Sequence, residues 1–152
     1  MILLFMRPSS NSSFVRDIKQ EIKQQPIEGV IEIPKISLER NFNEGNIDKG
    51  IVSIYHELYP YQDSSLLVLA GHSGTGLYAY FNYLYKLKIG DSIYIKFDNQ
   101  KYKYIIEKIY YQKKSGHIEI SRQKGKRILI LVTCTNNKKD LQTIYVANQS
   151  SK

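Results

Sequence analysis

The chain has 152 residues, 42% of them hydrophobic, and a formal net charge of +8 from 22 Lys and Arg against 14 Asp and Glu. That size and composition suit one domain with a buried core and exclude a wholly disordered chain. A single cysteine, Cys134, excludes an internal disulfide framework without deciding the compartment.

The chain opens on "MILLFM", six apolar residues. A membrane span needs roughly 20, and the central region of a signal peptide roughly 7 to 15. Residues 1–12 therefore read as a disordered end, or as the stump of an upstream anchor with the polar linker "RPSSNSS". Residues 13–152 read as a single domain. It begins with an amphipathic helix in "SFVRDIKQEIKQQP", where Phe14, Ile18 and Ile22 share a face, Ser13 caps and Pro26 stops.

After Pro26 the period changes to that of strands. "GVIEIPKISL" is strand-like and broken at Pro34; "GIVSIY" follows the turn-like "NEGNIDKG". "SSLLVLAGH" is a continuous apolar run, as a strand buried on both faces would be. "LYAYFNYLYKL", opened by "SGTG", has the length of a helix of two to three turns. "DSIYIKF", the turn "DNQ" and "KYKYIIEKIYY" read as a hairpin. "GHIEIS" is a short strand, "RILILVTC" a second buried one and "QTIYVA" the last. About eight strands and two short helices make an all-β domain, either a closed barrel or a sandwich.

Two apolar strands end in reactive side chains, His72 and Cys134. If these strands are neighbours running the same way, both groups emerge at one rim. A thiol has a reference pKa of about 8.5 and needs a neighbouring base to become a nucleophile. Read alone, a lone cysteine at a strand end is usually a small buried hydrophobe. His56 and His117 read as surface or hydrogen-bonded histidines.

Four segments in order resemble a known family. "GVIEIPKISLE", "VLAGHSG", "FNYLYKLKIGDSIYI" and "ILILVTC" are similar to the first strand, the histidine segment, the helix-and-turn stretch and the cysteine segment of the sortases, cysteine transpeptidases of Gram-positive bacterial surfaces. The similarity runs from about Gly29 to Ala147. It implies a closed eight-stranded sortase-type barrel with two or three short helices. Cys134 is then the nucleophile, attacking the carbonyl of a C-terminal sorting motif, commonly of the LPxTG type. His72 is the acid and base that protonates the leaving amine. The thioester would pass to an amine of a lipid-linked wall precursor or a pilin lysine. The implied location is the extracellular face of the cell membrane, held there through a missing upstream anchor. No cofactor is implied. The short connection between "IYY" and "RILILV" argues against the subgroup with a long helical insertion there.

The resemblance breaks at one place. Sortases usually carry an arginine at the start of the last strand, and no arginine follows Cys134 here. Alignment of "QTIYVA" puts Gln142 at that position, with Ile144 and Val146 on its face. Gln142 can donate two N–H bonds to substrate or oxyanion but lacks the charge. Lys138 and Lys139 could supply a cation from the loop "TNNKKD", against the simpler reading of a solvated loop. Thr133 and Ile144 are expected to line the substrate groove.

"GHSGTG" lacks the Lys-Ser/Thr ending of a phosphate loop. No Cys/His cluster has zinc-ligand spacing. Some sortases hold calcium before the histidine strand, but "IYHELYPYQD" offers only Glu57 and Asp63, so no metal site is expected. Two other functions compete: a homologue that binds sorting peptides without cleaving them, and a basic, tyrosine-rich barrel that holds single-stranded nucleic acid. The second is the less favoured, since "KYKYIIEKIYYQKK" also reads as a hairpin with one packed face and one wet face.

Overall fold

The computed structural model describes residues 3–7, 26–114, 117–121, 124–135, 138 and 140–150. The amphipathic helix expected between Ser13 and Pro26 lies outside the described residues. Among those described there are ten strands and three single 3-10 turns. The strands are β1 (Leu3–Arg7), β2 (Gly29–Ile33), β3 (Leu38–Asn43), β4 (Ile51–Glu57), β5 (Leu66–Ala70), β6 (Ser92–Phe97), β7 (Gln100–Lys113), β8 (His117–Ser121), β9 (Ile128–Cys134) and β10 (Leu141–Gln149). Eight of them close a barrel in the order β10-β7-β6-β2-β3-β4-β5-β9, while β1 and β8 form a separate parallel pair.

Local chemistry sets the corners. Pro34 ends β2: Ile33 before it is extended, as a residue preceding proline prefers, and residues 34–36 make a 3-10 turn that reverses the chain into β3. The β6–β7 hairpin turns on Asp98 and Asn99, both with positive φ (51° and 62°). Asp and Asn tolerate that region, and a turn with two such residues matches the twist of the flanking strands.

The stretch 77–87 is not the helix that its length suggested. It runs as turns ending in a single 3-10 turn at Leu84–Lys86. Its buried residues are Phe81, Leu84 and Leu87, spaced by three, which lines one edge of a 3-10 path rather than an α-helical face. Its tyrosines Tyr78, Tyr83 and Tyr85 are exposed, while Tyr80 packs partly buried against the core.

β5 and β9 are parallel neighbours, with Leu66 opposite Ile128 and Ala70 opposite Val132. Both are buried along their whole apolar length. Leu67, Leu69, Leu129 and Leu131 point into the barrel with Ile31, Ile33, Ile93, Ile95 and Tyr145. Leu66, Val68, Ala70, Ile128, Ile130 and Val132 point outward into a second cluster with Ile144. Ile120 of β8 is buried in that outer cluster, so the strand pair outside the barrel lies against it. Burial on both faces is why these two strands read as unbroken apolar runs.

Candidate active site

The alternation of β5 and β9 decides where their last side chains go. Residues 66, 68 and 70 face outward, as do 128, 130 and 132. Continuing each row by two puts His72 and Cys134 on that same outer face, at the same end of two parallel strands. Three bonds hold the two ends together. The Gly71 N–H donates to the Val132 carbonyl at 3.2 Å. The Thr133 hydroxyl donates to the Gly71 carbonyl at 2.8 Å, and the Ser73 hydroxyl to the Cys134 carbonyl at 2.9 Å.

Glycine is required at position 71. A Cβ there would lie 2.8 Å from the Phe81 ring, and the backbone N–H of Phe81 donates to the His72 carbonyl at 3.0 Å. Gly74 takes φ +104°, turning the chain away directly after the histidine.

His72, Cys134 and Gln142 line one cleft of about 790 Å³, together with Ala70 and Val132 at its floor. Gln142 is directly across from Cys134 in the antiparallel β9–β10 ladder, and across from Gln112 on its other side. It is almost wholly buried. Cys134 is half-buried and free. It also borders a second, larger cleft of about 1000 Å³, lined by Phe81, Tyr85, Ile89, Tyr111, Thr143 and Tyr145. The sulfur thus sits where two grooves meet. Burial pushes the Tyr145 phenol up to about 12, so it stays protonated at the floor of the second groove.

Two residues at the site carried no signal in the sequence, one bonded to His72 and one lining the first cleft. Asp48, on the 3-10 turn Ile47–Lys49, places its Oδ1 2.9 Å from His72 Nε2. The Asn46 side chain caps that turn by accepting from the Asp48 N–H at 2.9 Å. With the proton on Nε2, the imidazole donates to Asp48 and leaves Nδ1 free to accept. Lys114, just beyond β7, is the second, and its N–H donates to the Asp140 carbonyl at 2.8 Å. Asp48 and Lys114 are 24 and 42 positions from His72 along the chain, and barrel closure brings them together.

The other candidates fall as follows. Thr133 borders both clefts, but its hydroxyl is committed to the Gly71 carbonyl. Ile144 is not brought into either cleft; it is fully buried in the outer cluster. Lys138 is exposed and borders the second cleft, and Lys139 lies outside the described residues. Glu57 accepts from the Tyr55 hydroxyl at 3.1 Å, and Asp63 pairs with Arg127 at 2.8 Å. The His56 side chain is buried in β4, its Nδ1 3.6 Å from Glu44 Oε1 and its Nε2 without a hydrogen-bond partner among the described residues.

A family model of the sortase domain matches residues 31–150. The chain belongs to the sortase family. Sortases are cysteine transpeptidases that act at the cell surface. Among the described residues no helix is long and apolar enough to cross a membrane. Solved sortases share the barrel. Sortase C1 from Streptococcus agalactiae is 26% identical, with a TM-score of 0.71 over 82% of this chain and 67% of that one. A lid mutant of sortase A from Corynebacterium diphtheriae is 19% identical, with a TM-score of 0.73 over 96% of this chain and 83% of that one. Sortase C-1 from Actinomyces oris is 18% identical, with a TM-score of 0.68 over 94% and 84%. No curated protein matches the sequence.

Proposed function

We propose that this sortase cleaves a C-terminal sorting motif through a thioester on Cys134 and transfers the acyl part to an amine. The observation that carries the reading is that His72 and Cys134 end adjacent parallel strands on one face and line one cleft. In the first half-reaction the Cys134 thiolate attacks the scissile carbonyl carbon, the C–N bond breaks, and His72 gives its proton to the departing amine. In the second, the acceptor amine attacks the thioester, His72 takes its proton, and the thiolate leaves. Asp48 holds the imidazole by the nitrogen not used in proton transfer, the role of an orienting third group. Gln142 serves as a neutral donor to the substrate carbonyl.

The apolar floor of Ala70 and Val132 suits an extended peptide with small apolar side chains. We place the acceptor, a lipid-linked wall precursor or a pilin lysine, in the second groove at the sulfur. The site of action is the outer face of the cell membrane. The test is incubation with a library of sorting-motif peptides and an amine acceptor, with the acyl-enzyme read by intact mass. A peptide adduct on Cys134 that is lost in Cys134→Ala is expected. Failure of every peptide to acylate it would leave a homologue that binds sorting peptides without cleaving them.

A further inference from the structure

The cleft that holds the thiol also contains a positive charge. Among the described residues lining it, Lys114 is the sole lysine or arginine. β7 and β10 run antiparallel, with Gln112 opposite Gln142, and the Lys114 N–H bonds to the Asp140 carbonyl. Side chains alternate along β7, and Tyr110 packs in the outer cluster beside Ile144. Residue 114 therefore follows 110 and 112 on the face that carries Gln142, Cys134 and His72. Four other cations of this basic chain are paired away from the cleft: Lys35 with Asp91, Lys96 and Lys101 with Glu32, and Arg127 with Asp63. Lys114 forms no ion pair with any described residue, and its side chain is exposed. An ammonium with no ion-pair partner among the described residues, at the rim of this cleft, can turn toward an anion that forms there.

We propose that Lys114 is the cation of this active site, stabilising the Cys134 thiolate and then the oxyanion that develops on the attacked carbonyl. The assignment deepens the transpeptidase reading and rests on it for the second step only. Cations beside a cysteine favour the thiolate, and donors aimed at a developing oxyanion act mainly in the transition state. The charge comes from the residue that follows β7, the strand beside Gln142, so a neutral Gln142 does not leave the cleft without one. A flexible lysine can serve the sulfur in the free enzyme and the carbonyl oxygen in the complex.

The test needs no knowledge of the peptide. Alkylation of Cys134 by iodoacetamide is followed against pH and salt in the wild-type chain, Lys114→Ala and Lys114→Arg. The titratable and charged groups that line the two clefts at Cys134, or bond to residues that do, are His72, Asp48, Tyr85, Lys88, Tyr111, Lys114, Lys138, Asp140 and Tyr145, so Lys88→Ala and Lys138→Ala are run as control cations. Lys114→Ala is expected to slow alkylation at neutral pH by roughly three- to tenfold and to move the profile to higher pH. Lys114→Arg should restore both, and added salt should shrink the difference. Wild-type profiles in Lys114→Ala, or an equal effect from Lys88→Ala or Lys138→Ala, would overturn the assignment. Acylation by sorting peptides is the separate arm. If no peptide acylates any variant while alkylation still depends on Lys114, the transpeptidase reading fails and the cation assignment stands.

Discussion

Thr133→Val removes one hydroxyl and nearly keeps the side chain's shape. The lost bond runs at 2.8 Å to the Gly71 carbonyl, between two buried residues. A buried acceptor left without its partner costs about 1–3 kcal/mol. With a urea slope of about 2 kcal/mol/M for a small domain, the midpoint should fall by roughly 0.5–1.5 M with the slope unchanged. The same bond ties the end of β9 to the residue before His72. Its loss should therefore also lower peptide acylation of Cys134, beyond any effect of the unfolded fraction. Urea unfolding followed by tyrosine fluorescence, with single-turnover acylation well below the midpoint, separates the two effects. Thr133→Ser keeps the donor and should recover most of the acylation rate. A midpoint within about 0.2 M of wild type for Thr133→Val would refute the idea that this hydroxyl couples the two catalytic strands.

Gln142→Arg should raise the acylation rate several-fold, since charge-assisted bonds are roughly twice as strong as neutral ones; a lower rate, read by stopped-time mass spectrometry, would contradict a donor role for Gln142. Asp48→Ala should cut kcat/KM for a cleaved peptide by about tenfold while leaving the urea midpoint within experimental error, because an ion pair this exposed contributes little to stability. Gly71→Ala forces a methyl to 2.8 Å from the Phe81 ring and should cost about 1–3 kcal/mol, measured by thermal unfolding. Burial holds the His56 imidazole below its ordinary 6.5, against the pull of Glu44. The unfolded chain then binds the proton first, so stability should fall as pH drops below about 6.5 toward the folded value. His56→Gln should flatten that part of a stability–pH curve, and superimposable curves would exclude His56 as its source.

Much of the barrel was legible because the strands differ in how they are buried. β5 and β9 read as continuous apolar runs since both faces are covered, and the β6–β7 hairpin announced itself through alternation and an Asp-Asn turn. The expectation of about eight strands matched the eight of the barrel, but not the same eight. Pro34 splits one segment into two barrel strands, β2 and β3, while "GHIEIS" pairs with β1 outside it. Strand propensity does not say which neighbour will accept the hydrogen bonds. The 77–87 segment misled for a related reason: its apolar spacing of three fits a tight turn over the barrel mouth, and only packing against Gly71 reveals it.

By itself the amino-acid order determined the strand pattern, the sortase resemblance, and the placing of an imidazole and a thiol at the ends of two buried runs. Tertiary structure alone decided that those runs are parallel neighbours, that Asp48 reaches the imidazole, that Ile144 lies buried away from the clefts, and that Lys114 enters the cleft from just beyond β7. The reason is physical. Alternation along a strand is a local property of the backbone, whereas the company a side chain keeps across a closed barrel depends on register between strands far apart in the chain.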